Sequence, residues 1–191
     1  MAMRLITGPS SEPLTLTEAK AHLRVTTTDD DTYITALIVA AREAAEQRLG
    51  RALFTQTWLR TLDAFPDAII LRRSPIQSIN WIRYLDGAGA LQTLSTAAYA
   101  TDFESEPGYV VPAFGYVWPV TYAIINAVSV QYIAGYSTTG AIPQTIKQWL
   151  LMRIGALYEV REAESGPTSG SFSKPSFVDG LLERYWLPEQ G

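Results

Sequence analysis

The chain has 191 residues, 47% of them apolar, which suits one domain, or one domain with a substantial insertion. Its net charge is −4 and it has no cysteine, so no basic face advertises nucleic-acid binding, and disulfides, thiol nucleophiles and thiolate metal sites are excluded. Only 18% of residues are charged, below the usual quarter or so, which hints at buried subunit contacts.

Residues 1–14 read as an extended lead-in, broken by Pro9 and Pro13 and without the apolar core of a signal peptide. Thr15, with Glu18 three residues later, has the capping-box pattern. It opens a short helix to about Val25, with Leu16, Ala19 and Leu23 on one face. Residues 28–50 read as one long helix around which the rest is organised. Its apolar stripe is Ile34, Leu37, Ile38, Ala41, Ala45 and Leu49. Thr28 or Asp29 is the expected N-cap, and Asp30 and Asp31 suit the positive end of the helix dipole. Gly50 stands where a left-handed residue ends a helix. Such a rod, roughly 30 Å long, needs partner helices to cover its stripe.

From Phe54 the period changes to two. Residues 54–62, 68–71, 76–85 and 91–94 read as strands, with a hairpin signal at Asp86-Gly87. Tyr99, residues 109–111 and residues 116–118 suggest further short strands, and residues 127–134 the last one. The run 118–136 is marginal as a membrane span and carries Thr121, Asn126, Ser129 and Gln131; its second half reads as a buried strand, so no membrane is expected. Residues 54–136 are thus expected to form an antiparallel β meander.

A third helix follows from Pro143 to about residue 162 and is nearly apolar all round, so it must be covered on more than one side, the second side by the β insertion or by another subunit. Trp149, Met152 and Gly155 on it are candidates for a subunit interface. Residues 164–176 are rich in Gly, Ser and Pro and read as a flexible linker. Residues 177–186 regain apolar content: Phe177, Val178, Leu181, Leu182, Tyr185 and Trp186. They form a candidate docking element for a partner; the alternative is that they complete the subunit's own core. The fold class is therefore α+β. One domain over 1–191 combines a helical platform (14–50 and 143–163), an inserted meander (54–136), a linker and a flexible C-terminal tail with a docking segment (177–191).

Chemistry finds little purchase. His22 is the only histidine, and neither a triad nor a metal site assembles around it. Residues 29–31 could in principle hold magnesium, but three Asp at a helix start suit the dipole. Glu159, Glu162 and Glu164 could pair as in glycosidases, yet beside Arg161 they read as a solvated face. No catalytic residue, metal site or cofactor is expected.

Four segments, in this order and spacing, resemble the small head–tail connector (adaptor) proteins of tailed bacteriophages and prophages. The first is residues 14–24 with the acidic cluster and the long helix ending at Arg51. The second is residues 75–79 with 84–87 and Tyr99. The third is residues 128–136 running into Pro143 and the third helix. The fourth is residues 181–185. The resemblance implies a structural, non-enzymatic virion protein, made in the bacterial host cytoplasm and placed at the head–tail junction. It implies a ring of copies under the portal, usually with the portal's twelve-fold symmetry. The ring extends the channel through which DNA passes without sequence-specific binding, and gives a tail or stopper protein something to bind. Smaller members lack much of the central β region. Rival classes are a carbohydrate-binding or tail-associated β module using surface aromatics, and a hydrolase using the acidic clusters.

Overall fold

The computed structural model describes residues 2–159 and 176–187. The chain forms two compact units, one of Met1–Ser10 with Phe54–Ser137 and one of Ser11–Leu53 with Thr138–Gly191. Antiparallel sheets in the first and helices in the second make the fold α+β, with the β region inserted between helical parts.

In the first unit the strands are β1 (Ala2–Thr7), β2 (Gln56–Leu62), β3 (Ile69–Leu71), β4 (Ile76–Leu85), β5 (Leu91–Thr93), β6 (Tyr99–Asp102), β7 (Gly108–Pro112) and β8 (Val128–Ala134). One sheet runs β1-β2-β8-β4-β5 and a second runs β3-β7-β6. β8 shows why: Val128, Val130, Tyr132 and Ala134 are buried while Ser129, Gln131 and Ile133 are half-buried, the period of a strand with one face on the core. It is the central strand, in register with β2 from Gln56 opposite Ala134 to Leu62 opposite Val128, and with β4 on its other side. Leu62, Ile69, Leu71, Ile76, Ile82, Val110 and Ala127 are buried with them. The Tyr132 hydroxyl donates to the Arg72 carbonyl at 2.9 Å, satisfying a buried phenol, and burial raises its pKa.

Three expectations change here. The β region is antiparallel but not a meander, because β8 inserts between β2 and β4 and β3, β7 and β6 form a sheet of their own. Residues 2–7 are not a lead-in; they pair with β2 as an edge strand. Their partner lies some fifty residues on, and an edge strand that buries no complete face shows no clean alternation. Residues 116–118 are not a strand: their backbone joins no ladder, Pro119 has no N–H to give, and Trp118 is held by its ring instead. The hairpin between β4 and β5 is present. Asp86 Oδ1 accepts the N–H groups of Ala88 and Ala90, and Gly89 takes φ +81°. At the end of β8, Gly135 has φ +106°, and a Cβ there would stand 2.0 Å from the Phe54 carbonyl oxygen.

The second unit has α1 (Leu16–Leu23), α2 (Asp31–Leu49), α3 (Gln144–Glu159) and α4 (Ser176–Glu183). The capping box forms as read: Glu18 N–H donates to Thr15 Oγ1 at 3.1 Å, and Thr15 N–H to Glu18 Oε2 at 2.7 Å. All six stripe residues of α2 are buried. Its N-cap is Asp30 rather than Thr28 or Asp29, and Asp30 makes no side-chain cap bond. Instead it accepts the Tyr158 hydroxyl from α3, while Asp31 accepts Lys20 Nζ from α1. The acidic cluster therefore ties three helices at one point. Gly50 closes α2 at φ +66°. α3 is covered by α1, α2 and α4, which supplies the second side its apolar circumference requires.

One buried polar network was not legible in the apolar stripe. Arg42, only 6% exposed, donates to Glu12 at 2.8 Å and to Glu46 at 2.9 Å, and Glu46 accepts the Leu53 N–H at 2.8 Å. Each charge has a partner, as a buried ion must.

Candidate assembly surfaces

The residues weighed for catalysis are occupied by structure. His22 sits in the last turn of α1, with its Nε2 3.6 Å from where a Cβ on Gly155 would stand. Gly155 therefore lies where α1 passes close to α3. Asp30 and Asp31 make the inter-helix contacts above. Glu159 ends α3 exposed, and Glu162 and Glu164 lie outside the described residues. Among the described residues no three His, Cys, Asp or Glu gather as a metal site.

Of the residues singled out on α3, Trp149 is buried within the chain at 5% exposure and Met152 is half-buried. The linker expected over 164–176 lies outside the described residues, except Ser176, which opens α4.

The C-terminal segment has two characters. Leu182 is 1% exposed and Val178, Leu181 and Tyr185 are half-buried, whereas Trp186 is 59% exposed. Phe177 lies in the first turn of α4. The backbone after α4 is fastened to the end of α2. Leu187 N–H donates to the Leu49 carbonyl at 3.0 Å, and Arg51 Nε donates to the Tyr185 carbonyl. Gly50 leaves room for this: a Cβ there would meet the Leu187 carbonyl oxygen at 3.0 Å. Arg48, Leu49, Leu182, Glu183 and Trp186 line a shallow hollow beside the exposed indole. The segment thus buries one leucine and offers one tryptophan.

The most exposed apolar surface is elsewhere, in the loop between β7 and β8. Phe114, Val117, Val120 and Ile125 are 75% exposed or more, and Tyr116, Tyr122 and Ile124 about half exposed. The loop is nevertheless pinned along its length. Ala113 N–H donates to the Ala98 carbonyl at 3.1 Å. Trp118 stacks on Phe65, which meets Tyr84 edge-on. Thr121 bridges to Asp86, Tyr122 N–H donates to the Leu85 carbonyl at 3.0 Å, and Asn126 N–H donates to Asp63 at 2.9 Å. Sequence reasoning missed this surface because its apolar residues follow neither period. The available signal was composition: residues 107–146 contain no charged side chain.

Residues 13–82 match the family described as Phage gp6-like head-tail connector protein. Comparison with curated proteins gave no match. Among solved structures, the chain resembles a protein from the neck of an empty gene transfer agent particle computed with C6 symmetry. The two share 22% identity with a TM-score of 0.80, covering 100% of this chain and 98% of that one. A protein in the virion of the native gene transfer agent particle matches at 22% identity and TM-score 0.78, with the same coverage. One from the neck of the native particle computed with C12 symmetry matches at 21% and 0.71, again with the same coverage. The resemblance to head–tail connector proteins is thereby borne out in sequence over residues 13–82, and the fold is shared along the whole chain with these gene transfer agent particle proteins.

Proposed function

We propose that this chain is a structural subunit of a head–tail connector in a tailed phage, prophage or related particle. It assembles as a ring on the portal, extends the DNA channel, and presents a surface to the tail or stopper protein. What carries this reading is a likeness of fold that runs through both units and leaves no part of the chain over, joined to the family match at residues 13–82. Twelve copies suit a portal of that symmetry, and one of the similar structures was computed with C12 symmetry. Both units act within one connector subunit located at the head–tail junction of the virion. The role is non-enzymatic, and DNA passes without base-specific contact.

Two surfaces carry the contacts. The segment with Phe177, Val178, Leu181, Leu182, Tyr185 and Trp186 docks on the portal through exposed Trp186, while Leu182 holds the segment to its own subunit. The α3 face serves neighbouring copies through half-buried Met152, with Trp149 and Gly155 setting the helix behind it. Four of the five tryptophans are engaged within the chain, which weakens the sugar-binding alternative. Arg73 covers Trp58, Arg83 covers Trp81, Phe65 covers Trp118 and Trp149 is buried. Mass photometry of the purified chain with its cognate portal tests the proposal. A single added mass step worth about a dozen copies per portal is expected; portal particles of unchanged mass would refute it.

A further inference from the structure

We propose that Arg153 on α3 is the receiving half of an ion pair between neighbouring copies, filled by a surface carboxylate of the next copy. The proposal deepens the ring reading above and rests on it. Trp149 and Arg153 stand four residues apart on α3, so their side chains share a face. Trp149 is buried at 5% exposure, yet its Nε1 has no hydrogen-bond partner. Arg153 is half-buried, and its Nε, itself buried, has no partner either. Among the described residues no carboxylate meets the guanidinium; the ion pairs of this unit use Lys20 and Arg42. A donor taken out of water without an acceptor destabilises the fold, and a charged one does so more. Arg42 shows the contrast, with Glu12 at 2.8 Å and Glu46 at 2.9 Å. A planar guanidinium fork beside an indole N–H matches the two oxygens of a carboxylate.

Charge identifies the occupant. The chain is net negative, with 19 acidic against 15 basic residues. Asp67, between β2 and β3, and Glu104, between β6 and β7, are exposed, and their side chains meet no cation among the described residues. A ring contact between copies is heterologous, so a patch on one copy needs a different, complementary patch on the next. One chain with an unmatched cation on a helix and unmatched carboxylates on separate turns carries both halves. Such pairs fix the register of a contact as well as its strength. The arginine is uncompensated in the lone subunit and neutralised when a neighbour arrives, so its gain appears only on assembly.

The test uses the full chain and its cognate portal, with mass photometry across a series of subunit concentrations and a melting curve of the free subunit. Arg153→Met keeps an apolar stem and removes the charge and the donors. The free variant is expected to melt at the wild-type temperature or above it, because an uncompensated charge has gone. On the portal it is expected to bind as scattered single copies, and to need at least ten times the wild-type concentration to complete the ring. Arg153→Lys keeps the charge but not the fork, and replaces the first variant should that fail to fold; at least a threefold rise is expected. A ring that completes at the wild-type concentration overturns the proposal, and so does a lowered melting temperature with the ring intact, which would make Arg153 a packing residue. Loss of single-copy binding would make it a portal contact and also overturns it. If wild type itself builds no ring, the connector reading fails instead.

Discussion

The indole of Trp118 lies flat on the ring of Phe65, with centroids 4.8 Å apart and 10° between the planes. This one contact fixes the middle of a loop whose other large residues point to water. Replacing Phe65 by Ala removes the stack and its edge contact with Tyr84. The expected loss of stability is about 2 kcal/mol, since the ring is half-buried and stacked. Hydrogen exchange followed by mass spectrometry is expected to show faster exchange across residues 114–125, with β2 and β8 unchanged. Unaltered exchange in the loop would mean that its hydrogen bonds alone hold it.

Gly135→Ala is expected to cost at least about 3 kcal/mol, because the new methyl would overlap the Phe54 carbonyl at a φ that L residues rarely adopt. Urea unfolding measures it. A loss below about 1 kcal/mol would show that the end of β8 can shift freely.

The two faces of the C-terminal segment separate by mutation. Leu182→Ala empties a fully buried site and is expected to cost about 2–3 kcal/mol. Trp186→Ala removes a side chain that is 59% exposed and is expected to change stability by less than about 0.5 kcal/mol. If the proposed docking holds, its effect falls on portal binding, expected to weaken at least tenfold in an interferometry assay. Retained affinity would remove Trp186 from the contact.

Much of the helical unit was legible because its signals are local. The capping box at Thr15 and Glu18, the six-residue stripe of α2 and the glycine at its end all depend on neighbours within a turn or two. The sheet was less so. β1 pairs with a strand beyond two helices, and β8 sits between β2 and β4, relations that no short window contains. The Arg42–Glu12–Glu46 network stayed hidden because charged residues at helical spacing look solvated until their burial is known. The aromatic loop between β7 and β8 stayed hidden for the opposite reason. Its apolar residues look like strand or core, and only the fold shows them exposed.

The capping box gives a pH dependence with a definite sign. The backbone and side-chain hydrogen bonds from Thr15 lower the Glu18 pKa in the folded chain. Its contribution is therefore complete above the ordinary carboxylate range and is lost as pH falls through the lowered value. Glu18 is exposed, so the amount is below about 1 kcal/mol. Urea unfolding of wild type and Glu18→Gln at pH 7 and pH 3 isolates it. The wild type is expected to lose more stability between the two pH values than the variant does. Equal losses would show that the box does not depend on the ionised carboxylate.

The central claim is that copies of this chain close into a ring on a portal. Cryo-electron microscopy of the purified chain mixed with its cognate portal, reconstructed without imposed symmetry, tests it most directly. The account predicts a closed ring of this chain coaxial with the portal, with Trp186 at the portal face. Bare portals beside free subunits, or single copies bound off-axis, would contradict it.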